Sequence, residues 1–358
     1  MIPHNKLFSP GPVEVSQKTL EAFSRPMIGH RGSEFKTLYA AIQPQLRELF
    51  ATKQPVFIST SSAWGIMEGA IRNLAQKKVL CCMLGAFSDK WLDVSRRCGR
   101  EADALQVEWG QYIRPEELDK RLATGEYDVV TLIHNETSTG VMNPLADIAE
   151  VLRRYPEVMS VVDTVSSFSA VPIATDELGI DLLLTGSQKA LALPPGMALF
   201  TVSEHGFERA KKSKDRGYYF DLIEFKKNGE GDMTPSTPSV GHIYALQSKL
   251  EDIFSEGIAV RHERHTRTNA QVHRWVEANG FEFFAPEGFR SKTLTCVANN
   301  RGIDVAAWLG RVKKKHHMVF DGGYGALKGK TFRLSNMGDE TEATIGELLA
   351  ALDDCLEG

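Results

Sequence analysis

Six short apolar runs, rich in β-branched residues, alternate with helical patterns between about residues 55 and 202. The runs read "PVFIS", "KVLCCM", "DVVTLIH", "VMSVVD", "DLLLT" and "MALFTV". Strands that alternate with helices in this way are typical of a mostly parallel sheet covered by helices on both faces. This alternation is the strongest constraint on the fold, and it predicts the α/β class.

The C-terminal part of the chain has a different pattern. A helical stretch, "HIYALQSKLEDIFSEG", follows Gly241, and a second helix is expected to end near Asn279. Beyond it, strand signals ("KTLTCVA", "KTFRLS") mix with helical ones ("IDVAAWLGRVKKK", "TEATIGELLAALDDCLE"), which predicts a smaller α+β domain. We expect an N-terminal arm and large domain over residues 1–255 and a small C-terminal domain over residues 256–358, joined without a flexible linker.

Composition and charge exclude several classes of function. The formal net charge is −4 and the pI is about 6.2, whereas a protein that binds nucleic acid regardless of sequence needs a basic face. The five cysteines lack the spacing of a disulfide framework or a zinc site. The sequence has no run of about 18 apolar residues to span a bilayer, and its N-terminus does not resemble a secretory signal. We therefore expect a cytoplasmic protein with no metal, nucleic-acid or membrane partner.

Chemically useful side chains follow several of the predicted strands. In an open parallel sheet, ligands bind outside the carboxyl ends of the strands. The first run leads into "STSSAWG" at a helix start, where backbone N–H groups can bind a phosphate. The later runs end close to Phe87, Thr137, Asp163 and Lys189. A phosphate site, an aromatic face, a hydroxyl, a carboxylate and an amine are therefore expected on one edge of the sheet.

Lys189 lies in "TGSQKALALPPG", where it is the one charged residue among small and apolar neighbours. Burial favours the neutral amine by lowering its pKa, and a neutral amine forms a Schiff base with an aldehyde. Asp163 is suited to keep a pyridine nitrogen protonated, and Phe87 is suited to stack on the ring. Phosphate donors are available from Ser62, Ala63 and Trp64. Together these groups predict pyridoxal phosphate (PLP) as the cofactor.

Each of these residues, taken alone, has an ordinary structural explanation. An isolated lysine more often extends over the surface, an aspartate often caps a helix, and a phenylalanine more often lies in the core. The "STSS" stretch also fits a helix start without a phosphate. The combination favours the cofactor hypothesis, because five unrelated requirements of one cofactor are met at successive strand ends.

Four motifs resemble those of a known family. The stretches "GHRGSEF", "HNETSTG", "VVDTVSSF" and "TGSQKALALPPG" are similar to motifs of the class V aminotransferases with the aspartate-aminotransferase fold, nearest the alanine/serine–glyoxylate (serine–pyruvate) branch. The resemblance extends from "FSPGP" to "KGKTFRLSNMG". It implies a PLP-dependent homodimer with shared active sites that moves an amino group from serine or alanine to glyoxylate or pyruvate.

The resemblance also implies roles for individual residues. Lys189 would be the Schiff-base lysine and the general base, Asp163 the partner of the pyridine nitrogen, and Arg333 the arginine that binds the substrate carboxylate. The segment "TPSTP" would reach the phosphate of the neighbouring subunit. The cofactor-binding positions predicted in this way are Ser62, Ala63, Trp64, Phe87, Thr137, Asp163, Val165, Gln188, Lys189, Thr234 and Thr237.

Other reactions on the same fold stay open. In the phosphoserine aminotransferases, which "GHRGSEF" also resembles, the His-Arg pair meets the substrate phosphate, so His30 and Arg31 would bind substrate in a phosphoserine:2-oxoglutarate transamination. Against this, Trp64 replaces the arginine that this family has near the helix start. A lyase such as a cysteine desulfurase is disfavoured, because Gln188 stands where histidine precedes the lysine and Cys296 lies in a predicted strand. A non-enzymatic subunit is least favoured, since none of the expected groups is missing.

Overall fold

The computed structural model describes residues 4–356, so the outermost residues of the two predicted domains, 1–3 and 357–358, lie outside the described part. In that part the strands are β1 (Lys6–Leu7), β2 (Val56–Ser59), β3 (Lys78–Met83), β4 (Glu101–Gln106), β5 (Val129–Ile133), β6 (Asn135–Glu136), β7 (Val141–Met142), β8 (Met159–Asp163), β9 (Leu182–Gly186), β10 (Ala198–Val202), β11 (Glu282–Phe283), β12 (Leu294–Ala298), β13 (Met318–Val319) and β14 (Thr331–Ser335). The α-helices of the same part are α1 (Gln17–Phe23), α2 (Ser33–Leu49), α3 (Ala63–Leu74), α4 (Lys90–Arg97), α5 (Pro115–Leu122), α6 (Leu145–Leu152), α7 (Thr175–Leu178), α8 (Glu204–Lys212), α9 (Leu222–Gly229), α10 (Val240–Glu256), α11 (Ile258–Ala278), α12 (Val305–His316) and α13 (Glu342–Asp354).

The central sheet has seven strands in the order β2-β10-β9-β8-β5-β3-β4. The pairs from β9 to β4 are parallel, whereas β10 is antiparallel to both of its neighbours. Strands β5, β8 and β9 are buried along their whole length, as expected for strands covered on both faces. The predicted α/β class with a mostly parallel sheet is confirmed. The sequence pattern does not predict β4, because this edge strand, "EADALQ", is mostly polar or small.

Two apolar clusters lie on the two faces of this sheet. One contains side chains from α2, α5, α6 and α10, and the other contains side chains from α3, α4, α8 and α9. Along β5, Val130 and Leu132 belong to the first cluster and Val129 and Ile133 to the second, which is the alternation of a strand with two buried faces. Helices therefore cover both faces, as predicted.

The C-terminal part contains a three-stranded antiparallel sheet in the order β11-β12-β14. Its apolar cluster joins side chains of α11, α12 and α13 to β12 and β14. Phe8 of the N-terminal arm also packs in this cluster, and β1 pairs with β13. The arm therefore connects the beginning of the chain to its smaller α+β part.

Helices α10 and α11 meet at Gly257, which has a φ of 87°. Helix α10 packs on α1 and α2, whereas α11 packs on α13, β11 and β12. The change of packing partners favours the predicted division between residues 255 and 256, which stays a prediction. Within residues 4–356, every helix is too short or too polar to span a bilayer.

Trp308 provides a test of the small apolar core. Its side chain is fully buried, and its ring lies 6.3, 4.8 and 5.2 Å from those of Trp275, Phe320 and Phe332. Trp308→Ala is expected to lower the free energy of unfolding by about 3–5 kcal/mol, because it removes these contacts and leaves a cavity. Urea unfolding followed by circular dichroism measures the change. The control Val260→Ala, at an exposed side chain, should change it by less than about 0.5 kcal/mol, and an equal loss in both variants would contradict the assignment.

Candidate active site

A cavity lies at the carboxyl edge of the central sheet, where β5, β8 and β9 end. Nine of the eleven predicted cofactor-binding residues line it, namely Ser62, Ala63, Trp64, Phe87, Thr137, Asp163, Val165, Gln188 and Lys189. The sequence analysis did not select the other lining residues, which are Met67, Ile133, Asn135 and Ser166. The topology explains this convergence, because neighbouring parallel strands place their carboxyl ends on the same edge of a sheet.

Lys189 lies in the turn that follows β9 and is only 8% exposed. Hydrogen bonds fix the backbone on both sides of it. The hydroxyl of Ser187 donates to the carbonyl of Pro194 at 2.7 Å, and Nη2 of Arg261 donates to the carbonyl of Ala190 at 2.7 Å. The lysine side chain is therefore held by a rigid turn and points into a site with little access to water.

The amine of Lys189 contacts the N-terminal arm. Its Nζ donates a hydrogen bond to the carbonyl oxygen of Pro10. Gly11 has a φ of 119°, and a Cβ at this position would lie 2.6 to 2.9 Å from Cδ, Cε and Nζ of Lys189. The backbone conformation favours glycine here, and a Cβ would also displace the end of the Lys189 side chain. The family resemblance begins at "FSPGP" but implied no role for Pro10 or Gly11. The available signal was a glycine between two prolines.

The electrostatic surroundings of Lys189 favour a neutral amine. Burial, and to a smaller degree the positive charge of Arg333, lowers the pKa of Lys189 to about 8. The carboxylates of Asp163 and Glu136 oppose this shift. A substantial fraction of the amine is therefore a nucleophile at mildly alkaline pH.

Asp163 is the last residue of β8 and borders the same cavity. Its Oδ1 accepts a hydrogen bond from the backbone N–H of Val165 at 2.7 Å. Burial nevertheless raises the pKa of Asp163 to about 7. A carboxylate in this situation is stabilised in its charged form when a cation binds beside it.

The loop that carries Phe87 is held by the buried carboxylate of Glu136. Glu136 accepts hydrogen bonds from the backbone N–H of Ser88 at 2.8 Å and of Phe87 at 3.4 Å. It also accepts from the N–H and hydroxyl of Ser138, at 3.0 and 2.6 Å. Gly85 leaves room for this carboxylate, since a Cβ there would lie 2.5 Å from Cγ of Glu136. Glu136 was not among the predicted site residues, although its charge within "HNETSTG" next to a buried strand was a signal.

The first turn of α3 borders the cavity with Ala63 and Trp64. Ser62 is the N-cap of this helix, and its side chain makes no capping hydrogen bond to the first turn. The N–H groups of Ala63 and Trp64 therefore lie at a helix N-terminus, where an anion is favoured. Gln188 packs close to Gly186, where a Cβ would lie 2.8 Å from the Gln188 Oε1.

The polar side of the cavity contains an amide and two hydroxyls. The hydroxyls of Thr137 and Ser166 form a hydrogen bond with each other. The Nδ2 of Asn135 donates to the carbonyl of Ser166 at 3.3 Å and to the hydroxyl of Thr293 at 3.1 Å. Within the described residues, Oδ1 of Asn135 is buried without a hydrogen-bond partner. An unsatisfied polar atom thus lies on a residue that lines the cavity.

Arg333 lies on β14 behind Thr137 and is buried. Its Nε donates to Oδ1 of Asp321 at 2.8 Å, and its Nη1 donates to the carbonyl of Thr137 at 2.8 Å. These two bonds fix the plane of the guanidinium group. Arg333 was a predicted site residue, whereas its partner Asp321, twelve residues away in the chain, was not.

Four of the predicted residues form a separate group. Thr234 and Thr237 do not line the Lys189 cavity in the single chain. The guanidinium of Arg31 donates to the carbonyls of Thr234 and Pro235, at 2.8 and 3.0 Å. Nε2 of His30 lies 3.4 Å from the hydroxyl of Thr237. The structure therefore brings His30, Arg31 and the "TPSTP" segment together, but away from Lys189.

The residues of the cavity fit PLP. The start of α3 offers donors for a phosphate, Phe87 forms an aromatic wall, and Lys189 offers an amine for an aldehyde. The raised pKa of Asp163 indicates a buried carboxylate that a protonated ring nitrogen would stabilise. The fold and this cavity define an α/β enzyme that depends on PLP, as predicted.

The chain belongs to the class V aminotransferases. The sequence profile described as Aminotransferase class-V matches residues 13–316. A protein of Methanocaldococcus jannaschii described as an uncharacterized aminotransferase is 38% identical, over 98% of this chain and 92% of its own length. The predicted family and the predicted transaminase class are confirmed.

Two further proteins illustrate the range of similarity. A serine–glyoxylate aminotransferase of Methylorubrum extorquens is 29% identical, over 95% of this chain and 88% of its own length. The crystal structure of an alanine–glyoxylate aminotransferase from Nostoc sp. superposes with a TM-score of 0.94 at 30% identity, and covers 100% of this chain and 96% of that one. The similarity therefore extends over the whole fold.

Gly11→Ala tests the contact between the arm and Lys189. The added Cβ would displace the lysine side chain, and a displacement of about 1 Å can slow a reaction about 100-fold. We expect about this loss in the rate of covalent PLP attachment, measured by absorbance. Gly99→Ala is the matched control, because Gly99 also has a positive φ but open space around it. Equal losses in both variants would show that backbone strain alone is responsible.

The lowered pKa of Lys189 predicts a pH dependence. Deprotonation generates the reactive amine, so the rate of PLP attachment should rise as the pH increases through about 8, well below 10.5, the usual pKa of lysine. Arg333→Met removes a positive charge that disfavours the protonated amine, so it should move the midpoint to higher pH. Stopped-flow absorbance between pH 6 and 10 measures both midpoints, and Lys189→Ala is the control without attachment. A wild-type midpoint near 10.5 would contradict the lowered pKa of Lys189, and an unchanged midpoint in Arg333→Met would contradict the influence of Arg333 on it.

Proposed function

We propose that the enzyme transfers the amino group of a small amino acid, serine or alanine, to a small 2-oxo acid, glyoxylate or pyruvate. The similarity to proteins named for serine–glyoxylate and alanine–glyoxylate transamination supports this substrate class. The charge of the cavity supports it as well. Of the described residues that line the cavity, Lys189 alone carries a cationic side chain. A donor with an acidic side chain would therefore find no second cation on the cavity wall to bind it.

The observation that favours unphosphorylated donors most strongly is the position of Arg31. In the alternative reaction, transamination of phosphoserine, this guanidinium would bind the substrate phosphate. Instead, Nη1 and Nη2 donate to the backbone carbonyls of Thr234 and Pro235. Arg31 is thus already used to hold the "TPSTP" segment, and Trp64 occupies the cavity wall near the helix start.

Lys189 and Asp163 are the proposed catalytic residues. When bound, PLP supplies an aldehyde carbon for the lysine and an aromatic ring that withdraws electrons from the reacting carbon. Nζ of Lys189 would anchor the cofactor at its aldehyde carbon, and the free amine would accept the donor's α-proton as a general base. The carboxylate of Asp163 would hold a proton on the ring nitrogen. Burial of both residues supports these roles, because it excludes competing water.

The other predicted residues have binding roles in this proposal. Phe87 and Val165 lie on the walls that would enclose the ring, Thr137 on the side of the ring hydroxyl, and Ser62 and Gln188 on the phosphate side. Arg333 binds the α-carboxylate of the donor. Its fixed plane suits a carboxylate, because two parallel hydrogen bonds require a guanidinium of defined orientation.

A homodimer is part of the proposal. Thr234 and Thr237 lie outside the cavity of their own chain, which fits a role at the phosphate of a second copy. A cytoplasmic location is proposed as well. All five cysteines are buried and unpaired, as expected for a protein of a reducing compartment.

Cysteine desulfuration is disfavoured by the surroundings of Cys296. This thiol is buried in β12, and its Sγ lies 3.7 Å from the carbonyl of Ser138. Burial raises the pKa of Cys296 to about 12. A nucleophilic thiol needs the opposite, namely exposure and a lowered pKa.

A comparison of donors tests the proposal. We expect conversion of the bound cofactor by serine or alanine with glyoxylate or pyruvate as acceptor, and no preference for phosphoserine or aspartate. Arg31→Ala should change kcat/KM for all donors alike, because Arg31 binds the backbone carbonyl of Thr234 and not the substrate. Arg47→Ala is the control, because the Arg47 side chain is exposed. Steady-state kcat/KM for each donor is the measurement. A strong wild-type preference for phosphoserine, lost about 10- to 150-fold in Arg31→Ala, would establish the alternative instead.

A further inference from the structure

The loop between β13 and β14 packs against the loop that carries Phe87. The ring of Tyr324 stacks on the ring of Phe87, with centroids 4.9 Å apart and an angle of 24° between the planes. The next residue, Gly325, has a φ of 57°, and a Cβ there would lie 3.6 Å from Trp109 and 3.8 Å from Ala86. The residue after Tyr324 therefore also lies beside the Phe87 loop, next to Ala86.

The same tyrosine also contacts Arg333. The guanidinium carbon of Arg333 lies 5.5 Å from the centroid of the Tyr324 ring. Asp321 connects the two residues, since its Oδ1 accepts from Nε of Arg333 at 2.8 Å and from the backbone N–H of Gly323 at 2.9 Å. The loop that carries Tyr324 is thus tied to the arginine as well as to the aromatic wall.

Phe87 lines the cavity, whereas Tyr324 is not among the described residues that line it. Tyr324 therefore supports Phe87 from outside the cavity. The ammonium of Lys90 lies 5.4 Å from the Phe87 ring and 6.0 Å from the Tyr324 ring, which adds a cation to the same stack. One exposed cation, two stacked rings and one buried guanidinium form a continuous cluster beside the site.

We infer that Tyr324 is a positioning residue that couples carboxylate binding at Arg333 to cofactor binding against Phe87. The inference rests on the proposed roles of Arg333 and Phe87. A carboxylate that binds the guanidinium of Arg333 changes the contact between this guanidinium and the Tyr324 ring. The Tyr324 ring is in turn stacked on Phe87, the side chain that would contact the cofactor. Because coupling between two binding sites is reciprocal, each ligand then changes the affinity for the other by the same factor.

The test measures binding to the full-length protein freed of cofactor. Pyridoxal phosphate is titrated with and without propionate, a carboxylate that has no amino group to transfer. In the wild type we expect propionate to change the dissociation constant of pyridoxal phosphate by at least about 5-fold. Tyr324→Ala should weaken the binding of each ligand by about 3- to 10-fold and abolish the coupling, because it removes the ring pair and the cation–π contact.

Three variants separate positioning from general damage. Tyr324→Phe keeps the ring and should keep the coupling, whereas Tyr324→Leu keeps apolar bulk without a ring and should lose it. Tyr244→Ala is the matched control, since Arg25 lies 5.8 Å from the Tyr244 ring and Tyr244 is not among the described residues that line the cavity. Thermal unfolding of each variant identifies any that are simply unstable.

The outcomes distinguish the inference from the proposed function. If Arg333→Gln leaves propionate binding unchanged, the proposed role of Arg333 is wrong and the inference fails with it. If Arg333→Gln abolishes propionate binding but folded Tyr324→Ala and Tyr324→Leu keep the wild-type coupling, only the inference is overturned. Retained coupling in Tyr324→Phe and Tyr244→Ala, together with its loss in the other two variants, would support it.

Discussion

The site depends on keeping two ionisable groups, Lys189 and Asp163, away from water in one cavity. Burial disfavours both charged forms, so it lowers the pKa of the amine and raises that of the carboxyl group. The parallel sheet makes this arrangement possible, because β8 and β9 are neighbours and end on the same edge. Both pKa shifts support the proposed roles, in which the amine of Lys189 reacts with an aldehyde and the carboxylate of Asp163 binds a protonated ring nitrogen.

Two carboxylates, the buried Glu136 and the partly exposed Asp321, position the groups around this pair. Glu136 binds the backbone of the Phe87 loop, and Asp321 binds the side chain of Arg333. In both cases a carboxylate accepts hydrogen bonds that help to fix the orientation of the group. The cost of burying such carboxylates is offset by several N–H and O–H donors, which Glu136 receives from Phe87, Ser88 and Ser138.

Segments that are distant in the chain complete the site. Pro10 of the N-terminal arm accepts the hydrogen bond of the Lys189 amine, and the same arm forms a strand with β13 and inserts Phe8 into the small apolar core. The loop with Tyr324, which follows β13, packs on the Phe87 loop. The N-terminal arm and the loop after β13 therefore both contact the site, and the pairing of β1 with β13 holds them next to each other.

Much of the fold and of the candidate site could be predicted from the sequence. The apolar runs "DVVTLIH", "VMSVVD" and "DLLLT" predict buried strands because strands covered on both faces need continuous apolar residues, and their ends predict where Asp163 and Lys189 lie. These are local patterns. The edge strand β4 was not predicted, because an edge strand needs fewer apolar residues than a central strand. Its sequence therefore contains no continuous apolar run.

The remaining features follow only from tertiary structure. The role of Gly11 depends on the Lys189 side chain, which lies 178 residues further along the chain, and the role of Tyr324 depends on a loop more than 200 residues before it. Neither contact leaves a periodic or compositional signal. The sequence by itself determined the class of fold and the family, and it predicted the edge of the sheet at which Asp163 and Lys189 lie. The folded chain decided their orientation, because that depends on close packing between segments that no local pattern connects.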